Sequence, residues 1–190
     1  PSRTSSSLTL YNEILRRRPE ALARLYEGFE WDRMDEHGPG ETPTSGYKVP
    51  VFSQKDGVIS CQYNRNWINN AAERNDTPLT DDENAIFDLM DEISAETCLE
   101  FPFHTGDIQF CNNYTCLHGR AAHAMVDEEE HKRVLMRIWL DLDDPRPFAD
   151  EAVIRCGNSR HGQIGWTPAE ILSGANTKPR SRRADGAVAI

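Results

Sequence analysis

The sequence predicts a mixed, β-rich domain that carries helices, and three features predict it. Apolar and basic or aromatic residues alternate over Arg133 to Leu140, the period of a strand with two unlike faces. A run rich in strand formers, Ile108 to Leu117, follows the turn signal Thr105-Gly106-Asp107. Ahead of both, Thr80-x-x-Glu83 fits a capping box, and Ile86, Leu89, Met90 and Ile93 behind it recur at helical spacing. At 190 residues the chain is one domain, or a large part of one, and is long enough for a sizeable core.

Taken in order, Ser5, Ser6 and Ser7 are N-cap candidates for a helix over Leu8 to Arg17. Leu10, Ile14 and Arg17 are expected to bracket one face, with Tyr11 and Leu15 beside it. Pro19 suits the first turn of a second helix, Glu20 to Glu27, with Leu22, Leu25 and Tyr26 inward. Asp32 to Gly46 is rich in Gly, Pro and charge and reads as a surface loop, with His37 in solvent. Tyr47 to Ser53 and Val58 to Asn64 form an expected hairpin around Lys55-Asp56-Gly57. Arg65 to Glu73 is a short helix, and the capped helix at Thr80 is a packing element. Cys98 to Phe103 is a strand leading to the Gly106 turn. Beyond Asp141 the pattern decays. Arg160 to Trp166 reads as a plain loop, and Gly174 to Ile190 as a flexible tail.

A formal net charge of −10 and a pI of about 5.0 argue against a nucleic-acid backbone as partner, because that partner wants a basic face. No apolar run reaches the length of a membrane-spanning helix, and no basic-then-apolar leader opens the sequence. Cys61, Cys98, Cys111, Cys116 and Cys156 are odd in number and irregularly spaced. They read as reduced thiols with buried structural roles in a cytoplasmic protein. The chain starts at Pro1-Ser2-Arg3 rather than Met, and its polar start runs straight into a helix, so an upstream part is expected.

The chemistry-bearing stretch is Thr105 to Leu140. The first strand delivers His118, followed by Gly119. After an acidic loop, the second strand puts Arg133, Leu135, Arg137 and Trp139 on one face and Val134, Met136, Ile138 and Leu140 on the other. One imidazole and two arginines are the ingredients of a metal site beside an anion site. A half-exposed strand with its arginines in water also accounts for the spacing.

At these residues the chain resembles the taurine dioxygenase (TauD/TfdA-like) family of Fe(II)- and 2-oxoglutarate-dependent dioxygenases. The words are GDIQFCNNYTCLHGR, Gly106 to Arg120, and RVLMRIWL, Arg133 to Leu140. YNEILRRRPE, YKVPVFSQKDG and CQYNRNWI extend the likeness over most of residues 1–148, leaving 149–190 as an extension and tail. The resemblance implies a double-stranded β-helix (jelly-roll, cupin-like), incomplete at its N-terminus, so that this chain alone is expected to be marginal in solution. It implies Fe(II) and 2-oxoglutarate, with succinate and CO2 released as a small organic substrate, anionic in some members, is hydroxylated. His118 matches the distal iron ligand, and Arg133 the cation for the far carboxylate of 2-oxoglutarate. Ser2 matches a hydroxyl on that same carboxylate, and Arg137 a contact to an anionic substrate. A guanidinium suits such roles because it stays charged when desolvated and meets a carboxylate with two parallel hydrogen bonds.

The other two iron ligands of the family come from His-x-Asp or His-x-Glu. None of His37, His104, His118, His123, His131 and His161 has an acid two residues on. Either that motif lies upstream, or the iron is lost. The alternatives are a metal-free jelly-roll that binds a small carboxylate, and a zinc site of His118, His123 and a cysteine. The only partner class implied is a small-molecule substrate, with no membrane or nucleic acid, and with self-association left open.

Overall fold

The computed structural model describes residues 2–34 and 42–120, together with 135, 136, 138, 140, 146, 147 and 149. The expected extension and tail, 149–190, lies outside the described residues apart from Ala149. Helices and strands are mixed, as the pattern requires. The strands are β1 (Ser2–Ser6), β2 (Phe52–Lys55), β3 (Val58–Cys61), β4 (Leu99–Phe101) and β5 (Cys116–Arg120). The helices are α1 (Ser7–Arg17), α2 (Ala21–Glu27), α3 (Arg65–Arg74) and α4 (Asp81–Thr97). The sheets are small: one of three strands in the order β4-β1-β5, and the hairpin β2-β3, both antiparallel. No helix among the described residues is long and apolar enough to cross a membrane.

Local chemistry accounts for the helix ends. Ser6 caps α1, its hydroxyl accepting from the Thr9 N–H at 3.3 Å. The Asn64 side chain caps α3 in the same way, accepting from the Trp67 N–H. At α4 the capping box is complete: the Glu83 N–H donates to the Thr80 hydroxyl, and the Thr80 N–H donates to the Glu83 carboxylate. The hairpin closes through Asp56-Gly57, both at positive φ (51° and 77°), the turn whose twist matches two antiparallel strands.

One core joins the helices to the hairpin. Leu10 and Ile14 of α1, Leu25 of α2, Ile68 of α3, and Ile86, Phe87, Met90 and Ile93 of α4 are buried with Val49, Val51 and Phe52. Burial of each such side chain contributes about 1.5–3 kcal/mol. Leu15 stays half exposed, so the inner stripe of α1 is narrower than the sequence suggested. Arginines at the end of α1 and in α2 reach α4: Arg17 to Glu96 and Glu92, Arg18, the C-cap of α1, to Asp82, and the part-buried Arg24 to Glu83. Gly28 ends α2 at φ 82°, and a Cβ there would stand 2.3 Å from the Val49 carbonyl oxygen. That close approach lets Phe29 and Val49 exchange backbone hydrogen bonds of 3.0 and 2.8 Å.

Three expectations change. The segment from Asp32 to Gly46 is not wholly a surface loop: Asp32, Thr44 and Ser45 are buried. Asp32 accepts from Arg74 at 2.7 Å and from the Met34 N–H at 2.6 Å, which satisfies its carboxylate and pins one root of the loop to α3. His37 lies outside the described residues. The strand expected over Ile108 to Leu117 starts only at Cys116, and Ile108 and Phe110 are 79% and 81% exposed. The cause is the pairing partner: β1 reaches Cys116 at Ser6 and then turns into α1. Of the strand expected over Arg133 to Leu140, the described residues Leu135, Met136, Ile138 and Leu140 lie in no strand.

Gly28→Ala should destabilise the chain by at least as much as a large core truncation such as Met90→Ala, about 2–5 kcal/mol. Urea unfolding followed by circular dichroism measures both, and a neutral Gly28→Ala would refute the close approach. Arg16 and Arg17 hold the Glu13 carboxyl below its ordinary value of 4.5, and Arg17 does the same to Glu96. Their contribution is therefore present above that value and lost as pH falls through the lowered folded-state values. Unfolding midpoints should fall on acidification in that window, and less so in Arg17→Gln.

Candidate functional site

The site is built on β1, the middle strand. Its register pairs Ser2 with Phe101 and Arg120, Thr4 with Leu99 and His118, and Ser6 with Cys116. Side chains alternate along a strand and directly paired residues point the same way. Ser2, Thr4 and Ser6 therefore share a face with Cys116, His118, Leu99 and Phe101. Arg3 and Ser5 share the other face with Glu100, Leu117 and Gly119.

The second face is the packed one. The Ser5 hydroxyl hydrogen-bonds Thr97 of α4 at 3.0 Å, and Leu117 lies against the core. At its outer end Arg3 pairs with Glu100 at 2.6 Å. The first face points away from α4. His118 is exposed on it, as is Leu99 at 67%, whereas Ser2 is only 9% exposed. Direct cross-strand partners have Cβ atoms about 4.5–5.5 Å apart and diagonal ones about 7–8 Å. Thr4 is thus the immediate neighbour of His118, and Ser2 and Ser6 are its diagonal neighbours.

Two of the four sequence-predicted site residues, Ser2 and His118, come together on one open face. Arg133 and Arg137 lie outside the described residues, as do His123 and His131. His118 stands in the middle of a strand and not at its end, because β5 continues to Arg120 along β1. Thr4 escaped the sequence reading. Its period-two relation to Ser2 was the available signal, but Ser2 to Ser6 (SRTSS) has no apolar alternation, and Ser5 and Ser6 read as helix caps.

The thiols also differ from expectation. Among the described cysteines only Cys61 is buried; Cys98 and Cys116 are partly exposed and Cys111 is exposed. Burial pushes the Cys61 thiol up to about 12. Burial first, and the neighbouring Cys111 second, push the Cys116 thiol up to about 11.

An iron site of this kind needs two imidazoles and a carboxylate on one side of the metal. Among the described residues no group of three or more His, Cys, Asp or Glu side chains could hold a metal ion. His118 is one donor of the three, and the described donors do not make an iron site on their own.

A mixed fold with a histidine on the open face of a small antiparallel sheet is therefore the frame to which relatives can be compared. The family model for taurine catabolism dioxygenase TauD, TfdA family, matches residues 2–139, and the chain belongs to that family. It is 28% identical over 151 residues to FR-33289 synthase of Streptomyces rubellomurinus, covering 76% of this chain and 43% of that protein. It is 30% identical over 147 residues to the taurine hydroxylase-like protein SAT17 of Stachybotrys chartarum, covering 74% of this chain and 36% of that one. The chain thus spans less than half the length of these relatives.

The register makes a direct prediction for backbone hydrogen exchange. Amides of β1, paired on both sides, should exchange more slowly than those of 107–112, which carry no strand pairing. Equal rates in mass-spectrometric exchange would contradict the middle position of β1.

Proposed function

We propose that the whole protein is an Fe(II)- and 2-oxoglutarate-dependent dioxygenase that hydroxylates a small organic substrate. The observation that carries this reading is the family match over residues 2–139, which includes His118, Arg133 and Arg137 as well as Ser2. The shared open face of Ser2 and His118 supports it independently. The whole domain is read as a double-stranded β-helix, to which residues 1–148 contribute and 149–190 add an extension. Its setting is read as cytoplasmic.

Iron and 2-oxoglutarate would supply the oxidising chemistry, with succinate and CO2 as by-products. This chain's residues have the following roles. His118 gives one neutral imidazole to the metal. Its place in a strand hydrogen-bonded to β1 limits how the ring can be presented. Arg133 meets the far carboxylate of 2-oxoglutarate with a charge that persists when water is excluded. The Ser2 hydroxyl, nearly buried beside that face, donates to the same carboxylate. Arg137 contacts the substrate, which is anionic in this reading. In this reading the two remaining ligands, His-x-Asp or His-x-Glu in the family and absent from this sequence, come from a part of the protein outside it.

Succinate formation coupled to substrate hydroxylation in the whole protein tests the assignment. His118→Ala should abolish it. Arg133→Ala should raise the KM for 2-oxoglutarate about ten- to a hundredfold, the loss of one or two hydrogen bonds to a charged group. Full coupled turnover in both variants would refute the roles. A protein that binds 2-oxoglutarate but never forms succinate would instead be the metal-free carboxylate binder.

A further inference from the structure

The turn that leads into β5 brings two cysteines together, and the iron reading makes no use of them. The Asn112 carbonyl oxygen accepts from the N–H groups of both Thr115 and Cys116, each at 3.0 Å, so the chain doubles back over Asn112 to Thr115. The Asn112 side chain tightens the same turn by accepting from the Tyr114 N–H at 3.0 Å. This return carries the backbone from Cys111 back to Cys116 across a single turn. Both are free thiols.

The turn is anchored on both sides. The Cys61 N–H donates to the Tyr114 carbonyl oxygen at 2.9 Å, and the Ser7 N–H donates to that of Thr115 at 3.0 Å. Cys111 is exposed, and the Gln109 side-chain amide donates to its sulfur at 3.1 Å. Cys116 is partly covered and lies two residues before His118 on the same face of β5.

We infer that Cys111 and Cys116 are a peroxide-reactive dithiol that closes to a disulfide at the root of the strand carrying His118. The order of events follows from access. The exposed Cys111 thiolate attacks one oxygen of hydrogen peroxide: an S–O bond forms, the O–O bond breaks, and hydroxide leaves. Cys116 sulfur then attacks the Cys111 sulfenic acid: the S–S bond forms and the S–O bond breaks. The departing hydroxide takes the Cys116 proton as water. Two thiols are oxidised by two electrons, and one peroxide is reduced to two waters. The disulfide closes a turn that backbone hydrogen bonds already hold. Because Cys116 opens β5, the bond fixes the point where that strand leaves the turn and starts to pair with β1.

The test treats the whole protein, in native buffer, with hydrogen peroxide. Alkylation and peptide mapping under non-reducing conditions follow. The expected product has lost two hydrogens and yields one peptide linked through Cys111 and Cys116. It should form faster than in the urea-unfolded chain, where the turn is gone. In Cys116→Ser, Cys111 should stop at the sulfenic acid and be captured by a cyclic diketone probe. The inference is overturned if the native chain links more slowly than the unfolded one. It is also overturned if Cys98 or Cys156 takes the place of either partner, if only intermolecular disulfides form, or if Cys111 proceeds to sulfinic acid in the wild-type chain. The readout needs no iron, so its failure leaves the dioxygenase reading standing, and the reverse also holds.

Discussion

The double-sided pairing of Ser2–Ser6 is the constraint on which the rest depends. Those residues have no apolar alternation and little strand propensity of their own. They are a strand because Leu99–Phe101 pairs on one side and Cys116–Arg120 on the other. The same pairing turns His118 and Ser2 to one face and Ser5 and Leu117 to the helices. A one-residue slip would send His118 into the layer against α4 and bring Leu117 out. The site and the core are therefore specified by one register.

The register is held from its ends. Ser6 finishes β1 and caps α1 with its side chain, so strand and helix share one residue as their boundary. The Ser7 N–H reaches across to the turn before β5, and Thr97 at the end of α4 holds Ser5. Helix α4 is in turn fixed by its capping box and by a face of Ile86, Phe87, Met90 and Ile93 against Leu10 and Ile14. Core packing is thereby transmitted to the position of a polar, half-open sheet. Apart from the part-buried pair of Arg24 and Glu83, the arginine pairs that reach α4 lie at the surface, where each adds little.

How much was legible in the sequence depended on how local the cause was. The capping box at Thr80, the Asp56-Gly57 turn and the Asp107 turn follow from residue chemistry over three or four positions, and all are present. The burial of Asp32 was not legible, because its partner Arg74 lies 42 residues away in α3. Strand β1 was not legible for a similar reason: both its partners lie about a hundred residues on. At the site, His118 and Ser2 came from the family likeness. Thr4, set opposite His118 by pairing alone, came only from the fold. Three of the four described cysteines sit on the surface or partly so, against the expectation that such residues are buried, because their segments are turns and edges.

The measurement that bears most directly on this account is calorimetric binding of 2-oxoglutarate to the whole protein under anaerobic conditions, with and without Fe(II). The account predicts binding that Fe(II) strengthens markedly, and loss of that strengthening in His118→Ala. Binding that is indifferent to Fe(II), and unchanged in His118→Ala, would contradict it.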